Sequence, residues 1–181
     1  MSITRLDLMA SAAGAIGGVL WHHLYLVATD GSGKQSYVRA GPECLPFERL
    51  VGRKTQYGDA VEDYEPSPEG PYGVIAVSSG HYEPGGPDFD PAAANVTLAS
   101  GEAAARLWES VQKAATALAG ERIAYDPVGK GANWAIMEAL RRCGVEAAPP
   151  PKRWAPGAGL VADPAAPSAP TRRVGQAAMV A

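Results

Sequence analysis

The stretch Trp21-His22-His23-Leu24-Tyr25-Leu26-Val27 decides the fold, because it is apolar, rich in aromatic and branched residues, and followed by a strong turn sequence. It predicts a strand over residues 21–29, a turn at residues 30–33, and a returning strand over residues 35–40. Successive side chains of a strand point to opposite faces of a sheet. His22 and His23 therefore lie on different faces, and the pattern favours His23 as the functional histidine.

A second informative segment lies late in the chain, where residues 125–134 lead into a helix. Ile136, Leu140 and Cys143 recur at helical spacing before Gly144, which predicts a helix over residues 132–143. The start of a helix offers N–H groups and partial positive charge, which activate a thiol and stabilise an oxyanion. A histidine on a neighbouring strand can act there as a general base. We therefore expect His23 to point at this helix start, near Ala132.

The remaining segments predict an α+β fold, with a small antiparallel sheet packed against two or three helices. Residues 72–78 and 122–125 are interpreted as short strands, and an earlier helix is expected from an N-cap at Ser100 to a stop at Gly120. Residues 44–51 are a short helix or loop, and residues 52–72 and 84–91 are loops. One domain is expected over residues 1–160, followed by a flexible tail rich in Ala and Pro over residues 161–181.

The apolar run at residues 8–20 is similar to the core of a signal peptide. However, Asp7 adjoins it, little positive charge precedes it, and it is shorter than the ~20 residues of a membrane span. We interpret it as a buried element of the domain, a short helix with a flexible end at Gly17 and Gly18. We expect no membrane span and a cytoplasmic protein as synthesised, with delivery to the periplasm or cell wall left open.

Composition excludes several classes of function. The net charge of −3 over 181 residues gives no electrostatic footprint for nucleic acid. Cys44 and Cys143 match no metal or redox spacing, which favours two free thiols over one disulfide. Asp88 and Asp90 could bind a cation or cap a turn, and the turn is favoured because no further ligand is suitably spaced. Lys130 lies outside the spacing of a phosphate loop. The sequence therefore predicts no cofactor and no metal.

The order of segments resembles a permuted papain-like fold of the NlpC/P60 kind, in which the histidine strand precedes the nucleophile helix. More narrowly, it resembles a bacterial and phage group of that superfamily over residues 20–160. The resemblance is carried by His23-Leu24-Tyr25-Leu26-Val27, Val38-Arg39-Ala40-Gly41-Pro42, residues 125–134, Leu140-Arg141-Arg142-Cys143-Gly144 and Ala155-Pro156-Gly157. It implies a hydrolase, an amidase or peptidase whose substrate is a peptide or resembles peptidoglycan.

The helix start departs from that group's pattern. The pattern Asn-Ser-Asn-Ser falls on residues 131–134, and of its members this chain retains only Asn133. The resemblance implies a catalytic site at His23, Ala132 and Asn133, with the nucleophile position substituted, because the methyl group of Ala132 cannot attack a carbonyl. Asn133 either caps the helix or binds an acyl oxygen, and the cap is favoured.

Other residues could supply the missing groups. Alternative nucleophiles are Cys143, Cys44 and the serines that precede Gly80-His81, although a structural role is favoured for each. For the residue that orients the histidine, four candidates lie on or after the second hairpin strand: Gln35, Tyr37, Arg39 and Glu43.

Two classes of function stay open. The first is an amidase or peptidase scaffold that is inactive as written, by nature or by engineering. The second is a non-catalytic module of a phage or secretion system that binds a peptide or a protein partner. The alanine at position 132 favours the second.

Overall fold

The computed structural model describes residues 2–16, 19–43, 70, 72–86, 88–160 and 172–173. A five-stranded antiparallel sheet forms its centre, in the order β4-β3-β2-β1-β5. The strands are β1 (Ile3–Ile16), β2 (Val19–Asp30), β3 (Gln35–Pro42), β4 (Ile75–His81) and β5 (Ala94–Ser100). Two helices follow, α1 (Glu102–Gly120) and α2 (Ala132–Arg142). The predicted α+β class, with an antiparallel sheet and two helices, is confirmed.

The two faces of the sheet are covered differently. On one face, called the helix face here, Leu24, Leu26 and Val38 share an apolar cluster with α1 and α2. On the other, the crossover face, Tyr25 and Val27 belong to a smaller buried cluster. Because β4 and β5 lie at opposite edges of the sheet, their connection must cross the molecule. This crossover (residues 82–86 and 88–93) packs Tyr82, Phe89 and Ala93 onto the crossover face.

A hairpin of β1 and β2 forms where the sequence predicts a helix followed by a strand. The strand predicted over residues 21–29 is confirmed, but the predicted helix over residues 8–20 is wrong, since β1 runs to Ile16 and β2 begins at Val19. Leu8 pairs with Leu26 and Ala10 with Leu24, so both contribute to the helix face. Pairing with β2 on one side and with β5 on the other therefore overrides the helical preference of an alanine-rich run.

Strand β3 pairs with only the C-terminal half of β2. Pairing of the two strands runs from Thr29↔Gln35 to Tyr25↔Arg39, although β2 extends back to Val19. Beyond that point the chain turns away, and the backbone N–H of Glu43 donates to the carbonyl of Val74. This gap between β2 and β3, at residues 19–24 of β2, is called the splay. The start of α2 fills part of it.

Both helices form close to their predicted positions, with changes at their ends. α1 has its N-cap at Gly101, with φ 60°, rather than at the expected Ser100, which is instead paired with Arg5 in the sheet. α2 begins at Ala132 as predicted. In the part of the chain that is described, neither helix combines the length and the apolar character needed to cross a membrane.

Several predictions fall at the margins of the described residues. Of the predicted strand over residues 122–125, one bridge forms, between Val74 and Ala124. Cys44, the element over residues 44–51 and nearly all of the loop over residues 52–72 lie outside the described residues. The same holds for most of the tail. Its two described residues form β7 (Arg172–Arg173), which pairs in parallel with β6 (Val145–Glu146).

Candidate functional site

Asn133 takes the place of the missing strand at the splay. Its Oδ1 accepts a hydrogen bond from the backbone N–H of Leu24 at 2.7 Å, and its Nδ2 donates to the carbonyl of His22 at 2.9 Å. The backbone N–H of His22 donates to the carbonyl of Trp154 at 2.8 Å. Both ends of the Asn133 amide are thus used on β2, and the N-cap residue of α2 is Gly131.

His23 lies on the crossover face and is held at both ring nitrogens. Its Nε2 is 3.0 Å from the carbonyl oxygen of Ala40, which follows the last residue of β3 that pairs with β2. Its Nδ1 is 3.1 Å from Oδ2 of Asp88. Among the residues that the structure describes, no contact joins the ring to Ala132. The expectation that His23 points at the start of α2 is therefore not met, and by alternation His22 is the histidine on the helix face.

Two basic side chains approach the same oxygen of Asp88. Oδ2 of Asp88 lies 3.0 Å from Nε of Arg39 as well as 3.1 Å from the His23 ring. Neither approach has the direction of a good hydrogen bond, so the attraction is mainly ionic. Burial acts to raise the pKa of Asp88, but the contact with His23 and the charges of His23 and Arg39 outweigh it and hold the pKa below its ordinary value.

Asp88 also adopts an uncommon backbone conformation. Its φ is 55°, in the left-handed region that few residues other than glycine adopt and where Asp and Asn are enriched. Such a conformation costs about 1 to 3 kcal/mol unless surrounding contacts maintain it. The ionic contacts with His23 and Arg39 supply such support, so the cluster fixes this part of the crossover on the sheet.

A tyrosine pair continues the anchoring of the crossover. Tyr82 donates its hydroxyl hydrogen to the carbonyl of Asp90 at 2.9 Å and accepts the N–H of Asp90 at 2.9 Å. The hydroxyl of Tyr25, 3.1 Å away, then donates to Tyr82. Burial and this contact raise the pKa of Tyr25 far above its ordinary value. Tyr25 is therefore a neutral structural group.

The start of α2 presents no reactive side chain. Ala132 is 7% exposed, and Gly131 before it provides no side-chain cap. Burial raises the pKa of Tyr125, while the backbone N–H of Ala132 acts on the phenol in the opposite direction. Gly157 lies so close to the carbonyl of Gly129 that any Cβ there would collide with it. The loop before α2 is thus packed tightly against residues 155–158.

The alternative nucleophiles gain little from the structure. Cys143 packs against the apolar cluster of the helix face, and burial raises the pKa of its thiol. Ser78, Ser79 and His81 lie exposed on β4, where Ser78 pairs with Arg39. Among the described hydrogen bonds, none links either serine to His81.

The candidates for the residue that orients the histidine have different contacts in the structure. Gln35 donates to Thr29, and Tyr37 is buried in the cluster of the crossover face. Arg39 reaches His23 through Asp88. The sequence treats Asp88 as a turn or cation residue and gives no indication that it meets His23. The described residues contain no group of three or more His, Cys, Asp or Glu that could hold a metal ion.

Exposed apolar side chains border the splay. Val19 and Leu20, at the start of β2, are 55% and 51% exposed, and Trp154 is 45% exposed. Trp154 is joined to this end of β2 through its carbonyl, which accepts the N–H of His22. Exposed apolar groups of this size are typical of interaction surfaces, and by alternation Leu20 lies on the helix face and Val19 on the crossover face. We call these three residues the apolar rim.

The chain matches no family model, and searches of the curated proteins and of the solved structures found no match.

Proposed function

We propose that this chain is a non-catalytic binding module, and that it binds a peptide or a peptide segment of a protein at the splay. The observation that carries the proposal is that each side chain expected to react is either unreactive or already bound to another group of the protein. The side chain of Ala132 is a methyl group, and Asn133 is hydrogen-bonded to the backbone of β2. The two ring nitrogens of His23 lie next to the Ala40 carbonyl and the Asp88 carboxylate. A bacterial or phage setting is what the sequence resemblance implies.

The apolar rim supports a binding role. Val19, Leu20 and Trp154 expose large side chains beside the end of β2 that pairs with β1 but not with β3. Tryptophan is the side chain that most often supplies a large share of binding energy at an interface, because it buries a large area with little loss of conformational freedom. A peptide that covers Trp154 and Leu20 would remove this apolar surface from water.

Binding is tested with defined probes. Muropeptides released from peptidoglycan and a set of unrelated hexapeptides are each titrated into the parent chain. The readout is the ¹⁵N-detected chemical shifts of the protein. We expect saturable shifts around Leu20 and Trp154 with at least one probe, and at least a tenfold loss of affinity in Trp154→Ala. Leu160→Ala is the matched control, since Leu160 is similarly exposed at 50% but takes no part in the rim. Absence of binding by every probe would refute the proposal for these ligands.

A further inference from the structure

We propose that the outer edge of β4 is a dimerisation surface, on which β4 of a second copy of this chain pairs antiparallel with β4 around a two-fold axis at Ser79. The inference does not depend on the proposed binding function, because β4 is an edge strand of the sheet and the splay lies on β2. The surface consists of residues 77–81, called the open edge here.

The direction of the backbone groups defines the open edge. The N–H of Ile75 donates outward, to the carbonyl of Ile123, whereas the N–H of Tyr82 donates inward, to the carbonyl of Gln35 on β3. In an antiparallel sheet the N–H and C=O groups of successive residues point to alternate sides of the strand. The odd-numbered residues of β4 therefore direct their N–H and C=O groups away from β3.

The open edge is bounded at both of its ends. At the start of β4, residues 123–125 run beside residues 73–75 and form a bridge with Val74. After β4, a Cβ on Gly86 would lie 3.6 Å from the carbonyl oxygen of His81, so the following turn closes the edge. Between these limits lie the outward groups of Val77, Ser79 and His81. In the described part of the chain, no hydrogen bond reaches these groups.

A two-fold axis at Ser79 makes the open edge complementary to itself. It places Ser79 opposite the same residue of the second copy, and Val77 opposite His81 of the second copy. Every outward N–H then faces an outward carbonyl, as in an ordinary antiparallel ladder. An axis at Ser78 would instead place His81 opposite Ile75, whose N–H is already bound. The symmetric register at Ser79 is therefore the one that pairs the whole edge.

The side chains of the open edge do not oppose contact between two copies. Residues 77–81 contain no Asp, Glu, Lys, Arg or Pro, and Ser78, Ser79 and Gly80 are small and exposed. Edge strands that remain single are commonly protected by charge, proline or a bulge. β4 pairs with β3 without a shift of register, whereas β5, at the opposite edge, has a bulge where it pairs with β1. β4 is thus the edge that has no such bulge.

Sedimentation equilibrium of the full chain tests dimerisation. Pairing over residues 77–81 alone gives a small interface, so the dimer should be weak and reversible. We expect a monomer at about 10 µM and mostly dimer at about 1 mM. A chain that stays monomeric at about 1 mM would overturn the proposal.

Amide hydrogen exchange at the same two concentrations locates the interface. The reporters are the outward amides of Val77, Ser79 and His81, and the inward amides of Ser78 and Gly80 on the same strand are the controls. We expect the protection of the outward amides to rise at least about threefold at the higher concentration, while the controls stay unchanged. Equal protection of the outward amides at both concentrations would overturn the proposal, including strong protection at both, because the chain itself would then cover the edge.

Ser79→Lys tests the register. It places two ammonium groups opposite each other at the two-fold axis, so dimerisation should weaken at least about tenfold. Asn95→Lys is the matched control, because it adds the same charge at an exposed position of β5 and should leave dimerisation unchanged. A dimer that is unaffected by Ser79→Lys, or one that is lost in Asn95→Lys instead, would contradict pairing through β4.

Discussion

The side-chain amide of Asn133 hydrogen-bonds to the backbone N–H of Leu24, as the backbone of a neighbouring strand would. The N–H of Leu24 donates to Oδ1 of Asn133, and Nδ2 of Asn133 donates to the carbonyl of His22 on the same edge. A helix start is thereby fixed to a sheet at the point where one strand leaves. This contact gives Asn133 a structural role at the edge of the sheet.

Removal of the Asn133 amide should destabilise the fold strongly. Asn133→Ala leaves the N–H of Leu24 and the carbonyl of His22 without these partners in a buried setting, so the free energy of unfolding should fall by about 2 to 4 kcal/mol. Urea denaturation measures the change. Asn95→Ala is the control, because Asn95 lies exposed on β5 and should change little. A loss no larger for Asn133→Ala than for the control would contradict the structural role.

Asp88 should contribute stability that disappears in acid. Its pKa is held below the ordinary value by His23 and Arg39, so its contribution is present above the unfolded-state pKa, about 3.9, and is lost as the pH falls through the lower folded-state pKa. Asp88→Asn should therefore be less stable than the parent at neutral pH by about 1 to 3 kcal/mol. The difference should shrink to near zero at about pH 2.

Denaturant midpoints across this pH range provide the measurement. A difference between Asp88→Asn and the parent that stays constant from neutral pH into acid would show that the carboxylate charge has no part in the contact.

Glu138 should be the most sensitive charged residue of the helical layer. It is 4% exposed, and its carboxylate binds Arg141 and Arg142, while Arg142 also binds Glu121 beyond the end of α1. Burial acts to raise the pKa of Glu138, but the two arginines hold it below its ordinary value. Loss of its hydrogen bonds to the two arginines, whose side chains are each 30% exposed, should cost about 1.5 to 3 kcal/mol.

Glu138→Ala should therefore lower the free energy of unfolding by an amount in that range, measured by urea denaturation. Glu102→Ala is the control, since Glu102 is 91% exposed and pairs with Arg106 on the surface of α1. Equal effects of the two substitutions would contradict the buried network.

The limits of the sequence-based predictions have identifiable physical causes. The hairpin around residues 21–40 and both helices carry local patterns, an alternation with turn residues and an apolar stripe, so they were predictable. The local sequence of residues 8–20 predicts a helix because alanine favours helix, while their strand conformation depends on pairing with β2 and β5.

The site shows the same division. The positions of His23 on a strand and of Ala132 and Asn133 at a helix start follow from local patterns. The contact between His23 and Asp88 depends on a crossover between opposite edges of the sheet and on a positive φ at Asp88. Neither feature can be predicted from the local sequence pattern. The binding of Asn133 to β2 likewise depends on where β3 departs.

The most direct test of the proposed non-catalytic role is to restore a nucleophile. Hydrolysis of muropeptides and of generic peptides is assayed for Ala132→Cys, Ala132→Ser and the parent, beside binding of the same muropeptides. We expect no hydrolysis by any of the three and retained binding, because both nitrogens of His23 face Ala40 and Asp88 and not position 132. Hydrolysis gained by Ala132→Cys or Ala132→Ser would contradict this and identify a hydrolase that lacks only its nucleophile.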